Sequence, residues 1–94
     1  MKALAANETK LVGRWLFNHG EVDADDVALR IEHLIHNALA RRGATPDGWT
    51  VLYQDPADGR FWELTYPQAE THGGRPPQLT LVDSQDAKTK YKLT

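Results

Sequence analysis

The sequence predicts an α+β fold: a small, mainly antiparallel sheet with one long amphipathic helix packed on one face and a short C-terminal helix. Three observations predict it. Between Asp23 and Gly43, apolar residues recur at helical spacing. On either side of that stretch, runs of strand-forming residues flank turn sequences, so each reads as a hairpin. The whole chain has 94 residues, too few to bury two separate cores, so residues 1–94 form a single domain.

Taken in order, Asn7 in "NETKLVGRW" is placed to N-cap a short helical turn reaching Val12. "GRWLFNHGEVDA" then reads as a hairpin. Trp15, Leu16 and Phe17 lead in, Asn18 to Gly20 tolerate positive φ, and Glu21 to Asp23 lead out. In "DADDVALRIEHLIHNALARRG", Val27, Ile31, Leu34, Ile35 and Ala38 fall on one helical face. Asp23, Asp25 and Asp26 suit the positive end of the helix dipole, Arg41 and Arg42 the negative end, and Gly43 a left-handed C′ position.

"GWTVLYQDPADGRFWELTY" is the second hairpin. Pro56 presets φ for the turn, Asp55 can accept from amides ahead of it, and Gly59 supplies positive φ. Alternation places Trp49, Val51 and Tyr53 on one face and Thr50, Leu52 and Gln54 on the other. On the returning arm, Trp62, Leu64 and Tyr66 alternate with Phe61, Glu63 and Thr65. "PQAETHGGRPPQ" is an irregular connection, "QLTLV" a last strand, and Asp83 or Ser84 caps the terminal helix.

Composition narrows the functions. There is no cysteine, which excludes disulfides, thiol nucleophiles and Cys-held zinc. The net charge of −2 carries no overall nucleic-acid signature. From Ala44 to Gly74 five acids (Asp47, Asp55, Asp58, Glu63, Glu70) face one base, Arg60. The N-terminus lacks the apolar core of a signal peptide and no run is long enough to span a membrane, so a cytoplasmic location is expected, with no nucleic-acid or membrane partner.

The candidate chemistries are thin. His33 and His36, with Glu32, lack a third ligand and the order of a zinc-binding helix, and read as a solvated helix flank. "THGGRPP" lacks the lysine and helix of a phosphate loop, and Pro76 and Pro77 block one. Glu63, Glu70 and His72 could form an acid/base set for a small hydrolase or transferase, but so small a core gives little room for an enclosing pocket. No cofactor is expected. Trp15, Trp49 and Trp62 read as core, whereas Tyr53, Phe61, Tyr66 and Arg60 include the residue types that anchor protein interfaces.

"NETKLVGRW", "RIEHLI", "GWTVLYQDPADGRFWELTYPQAETHGG" and the "PP" that follows resemble the immunity protein 27 family of bacterial polymorphic toxin systems. The resemblance runs from Asn7 to about Tyr91. It implies a non-enzymatic cytoplasmic antidote that binds the C-terminal domain of a secreted toxin encoded by a neighbouring gene. The acidic hairpin then suggests a plug for a basic cleft, with Tyr53, Asp55, Asp58, Arg60, Glu63, Tyr66 and Glu70 as toxin-binding residues. Within it, Trp62 and Leu64 are expected to hold the fold, and Arg60 and Glu63 the toxin. A generic protein-binding regulatory module remains the blander alternative.

Overall fold

Each strand pairing among the described residues is antiparallel, which short loops between successive strands favour. The computed structural model describes residues 2–18, 20–67 and 76–93. In chain order the elements are β1 (Lys10–Val12), β2 (Trp15–Asn18), β3 (Glu21–Ala24), α1 (Asp26–Asn37), β4 (Ala40–Ala44), β5 (Val51–Gln54), β6 (Phe61–Thr65), β7 (Gln78–Val82) and α2 (Ser84–Tyr91). Five strands form one sheet in the order β1-β7-β6-β5-β4, and β2 with β3 forms a separate two-stranded sheet. The architecture is the α+β class that the sequence predicts.

The pleat of the larger sheet sorts its side chains onto two helices. Cross-strand partners Val51 and Leu64, and Tyr53 and Trp62, share one face. There Trp62, Leu64, Leu79 and Leu11 pack with Ile31 and Leu34 of α1. Leu52 and Phe61 point the other way and pack with Ala87 of α2, flanked by Val82 and Tyr91. Trp62, Ile31, Leu34, Leu52 and Leu79 are fully buried, each contributing roughly 2 kcal/mol of transfer free energy. Both faces of the sheet are thus covered, one by the long helix and one by the short one.

Capping explains the helix boundaries. Asp25 is the N-cap of α1, its Oδ1 accepting from Ala28 N–H at 2.7 Å. Asp83 does the same for α2 toward Gln85 and Asp86. At Gly13 the chain passes between α1 and β7, where an added Cβ would lie 2.7 Å from the Pro77 carbonyl and 3.0 Å from Ala28. Only glycine allows that approach.

Four expectations are corrected. Residues 10–12 are strand β1, not the end of a helix, because they pair with Gln78 to Thr80 at the sheet edge. The long helix stops at Asn37, and Ala40–Ala44 is edge strand β4. Leu39 N–H reaches back to Leu34 O at 2.8 Å, and the Leu39 side chain enters the core, which turns the chain onto the sheet. Gly43 is accordingly not a left-handed cap; it sits where a Cβ would meet the Tyr91 ring at 3.3 Å. Trp49 is 50% exposed rather than core, since it precedes β5 in the loop after Gly48. Glu70 and His72 lie outside the described residues.

Candidate functional site

The register divides the larger sheet into two ends. Phe61 lies opposite Gln54 and Val82, so the 55–60 turn sits at the end where β7 runs into α2. Thr65 and Val12 lie opposite Gln78, so β1 leads into the β2–β3 hairpin at the other end. The sequence-predicted contacts concentrate at the first end.

Local hydrogen bonding builds that turn. Asp55, only 8% exposed, takes Ala57 N–H on its carboxylate at 2.9 Å. Its own N–H donates to Arg60 O at 2.9 Å and its carbonyl accepts from Gly59 at 2.7 Å. Gly59 has the positive φ, 79°, expected of it. The Asp58 carboxylate accepts from Arg60 N–H at 3.0 Å and from Arg60 Nε at 2.6 Å. The backbone amide first, and the guanidinium with it, holds the Asp58 carboxyl below its ordinary value.

Arg60 does more than close the turn. Its guanidinium donates to the carbonyls of Ala5, Ala6 and Glu8 at 3.0, 3.3 and 3.2 Å. The same group lies 5.2 Å above the Trp62 ring. Arg30 of α1 grips the segment from the other side, donating to both Glu8 carboxylate oxygens at 2.7 and 2.6 Å and to Lys2 O and Ala3 O. That bidentate bond from Arg30, aided by the Ala5 amide, draws the Glu8 carboxyl down to about 2. Two arginines therefore strap the N-terminal segment across the sheet.

Glu63 lies on the α2 face and accepts from Lys90 Nζ at 2.7 Å and Tyr91 OH at 2.6 Å. Burial pushes its carboxyl up, but these two donors outweigh burial and leave it below its ordinary value. The pair pushes Tyr91 upward, by burial first and by the Glu63 carboxylate second. A carboxylate held ionised in this way is poorly suited to act as a general acid. Tyr53 and Tyr66 are half-buried against the α1-side core, and burial raises both phenols.

The six described residues of the seven predicted do not share one face. Tyr53 and Tyr66 are on the α1 side, Glu63 on the α2 side, and Asp55, Asp58 and Arg60 at the turn. Trp62 and Leu64 hold the core as expected. Arg60 and Glu63 hold it too, through the bonds above. Asp58 stands exposed and, with Phe61, Val82 and the exposed Asp83, lines an open groove at this end of the sheet. His36 pairs with Glu32 at 3.3 Å and His33 with Asn37, as flank residues of α1.

Sequence reasoning passed over the β2–β3 hairpin as a site. Leu16 and Phe17 are 52% and 62% exposed and Val22 40%. The signal in the sequence was the apolar run of Trp15, Leu16 and Phe17 beside a short acidic return strand; among the described residues these form a two-stranded sheet only.

The fold and these surfaces define a class first: a small α+β protein whose polar side chains knit its own elements together and in which, among the described residues, Leu16, Phe17 and Val22 stand exposed together on a two-stranded ribbon. Residues 17–83 match the family model described as immunity protein 27, and the chain belongs to that family. Members of such a family act against toxins and are generally not enzymes. Compared with curated proteins and with solved structures, the chain gives no significant match.

Proposed function

We propose that this chain is a cytoplasmic immunity protein that binds the C-terminal domain of a secreted toxin, encoded by a neighbouring gene, and neutralises it by occluding its active cleft. The observation that carries the reading is the family match over residues 17–83. The charge distribution supports it. Acids outnumber bases along the centre of the chain, and such a surface attracts a basic cleft over a distance and speeds encounter. The contacts proposed from the sequence are Tyr53, Asp55, Asp58, Arg60, Glu63, Tyr66 and Glu70. Among the described ones, Asp58 has the most accessible carboxylate, and long-range steering is the role that suits it.

The test is co-expression with the neighbouring toxin domain, followed by a growth assay and purification of the complex. Rescue of growth together with a stable stoichiometric complex is the expected result. Rescue without a complex would overturn direct inhibition. Removing charge with Asp58→Ala and Glu70→Ala should slow association about threefold at low salt and leave dissociation almost unchanged. An association rate indifferent to both would remove the steering role.

A further inference from the structure

The hairpin at the opposite end of the sheet has the properties of an anchor. Phe17 pairs across the strands with Val22, and Trp15 with Ala24, so these four side chains share one face. Leu16 and Asp23 share the reverse face, with Glu21 two residues along the strand from Asp23. The aromatic–β-branched pair Phe17–Val22 lies well exposed, and Leu16 on the reverse face is exposed as well. Exposed apolar residues clustered on a projecting element mark interaction surfaces.

The base of the hairpin is fixed. One oxygen of Asp25 accepts from Arg14 N–H at 3.2 Å and from Ala28 N–H at 2.7 Å, while Asp25 N–H donates to Arg14 O at 3.0 Å. The carboxylate that closes the ribbon is therefore the one that caps α1. Gly13 N–H bonds to Pro77 O at 2.8 Å and ties the same point to β7. A ribbon held at its root loses little conformational freedom on binding.

Charge and size specify the partner. Residues 15–29 carry Glu21, Asp23, Asp25 and Asp26 and no lysine or arginine. A second copy of this chain would set acids against acids, whereas lysines or arginines beside an apolar slot would complement both features. A four-residue strand is ~13 Å long, so one face of the ribbon offers on the order of 130 Å². A stable interface needs ~800 Å² per partner. One face is too small by several-fold and both together give only about 260 Å², so both faces and the surface around the ribbon's root must be covered together, as happens when the ribbon enters a cleft.

Resting on the toxin-binding reading, we infer that the β2–β3 hairpin is the anchor: it inserts as a wedge into a lysine- or arginine-rimmed cleft of the cognate toxin domain, with Phe17 and Val22 against its apolar wall and Glu21 and Asp23 against its rim. Asp58 at the far end then acts on the rate of encounter, and the hairpin sets the lifetime of the complex.

The experiment is titration of the full chain against the neighbouring toxin domain by calorimetry and by surface-binding kinetics. Wild type is compared with F17S/V22T, with E21Q/D23N and with Lys88→Ala, which alters an exposed residue of α2. Thermal melts check folding. F17S/V22T should lose about 100-fold in affinity, almost all of it in dissociation rate, with the melting temperature within ~2 °C of wild type. E21Q/D23N should lose about tenfold and bind with a shallower salt dependence, and Lys88→Ala should bind as wild type. Wild-type binding with F17S/V22T unchanged overturns the anchor and leaves the toxin-binding reading standing. No binding by the wild type overturns both. Sedimentation showing a wild-type dimer that F17S/V22T dissolves would assign the hairpin to self-association and overturn the wedge.

Discussion

The two hairpins of this protein use similar residue types in opposite ways. β5–β6 lies in the middle of the sheet, and three of its polar side chains are engaged within the molecule. Asp55 closes its own turn, Arg60 holds three carbonyls of the N-terminal segment, and Glu63 holds Lys90 and Tyr91 of α2. β2–β3 has only two strands, and its apolar pair Phe17–Val22 is left in solvent. A strand with neighbours on both sides and helices on both faces brings packing neighbours to both of its faces. A ribbon with neither leaves its side chains for another molecule.

The sharpest way to break this comparison is at the root of the ribbon. Gly13→Ala drives a methyl into the Pro77 carbonyl and the Ala28 backbone, and the expected loss is about 3 kcal/mol or more, read by denaturant unfolding. A loss below about 1 kcal/mol would mean that the root is soft and the ribbon poorly oriented. Next in size is Arg60→Ala. It removes three bonds to the N-terminal segment and the contact over Trp62, and should cost about 2 kcal/mol. Arg60→Lys should recover little of that, because one ammonium cannot reach the same fork of carbonyls.

Glu63→Gln should cost about 1–2 kcal/mol, because it weakens the bonds that hold Lys90 and Tyr91 over the sheet. Hydrogen exchange should then rise in α2 ahead of α1. Uniform exchange in both helices would show that Glu63 does not pin α2.

Acid sharpens the same contrast. Glu8 titrates at about 2 in the folded chain, below its ordinary 4.5. Its contribution is therefore fully present above pH ~4.5 and is lost as pH falls from there toward 2. Solvent screening keeps the effect to about 1 kcal/mol. Glu8→Gln should flatten the acid limb of a stability curve by that amount, with the neutral-pH fold intact. The smallest expected effect is that of Asp58→Ala on stability, below about 0.5 kcal/mol, despite its 2.6 Å pair with Arg60.

Much of the fold was legible because it is local. Helical spacing at Val27, Ile31 and Leu34, the Asp25 cap, the turn ending at Gly59 and the alternation of β5 and β6 are each set by residues a few positions apart. The misread segments are those where distant partners decide. "ALARRG" has residues that favour a helix, yet pairing with β5 and burial of Leu39 make it a strand. "KLV" is too short to declare itself and becomes β1 only beside β7. Trp49 looked like core because tryptophans so often are, but its position in the loop after Gly48 leaves it half exposed.

The candidate site follows the same division. The sequence by itself determined the α+β class, the family, the acidic balance and the list of chemically capable residues, because composition and short-range spacing suffice for these. Only the tertiary structure decided which of those residues are already engaged. Arg60 meets carbonyls more than fifty positions away and Glu63 a lysine and a tyrosine near the C-terminus. Side-chain bonding of that kind depends on how far-apart segments are brought together, and nothing in local sequence encodes it. The fold binds most of the residues that looked like contacts into its own framework, and it leaves Phe17 and Val22 exposed on a two-stranded ribbon.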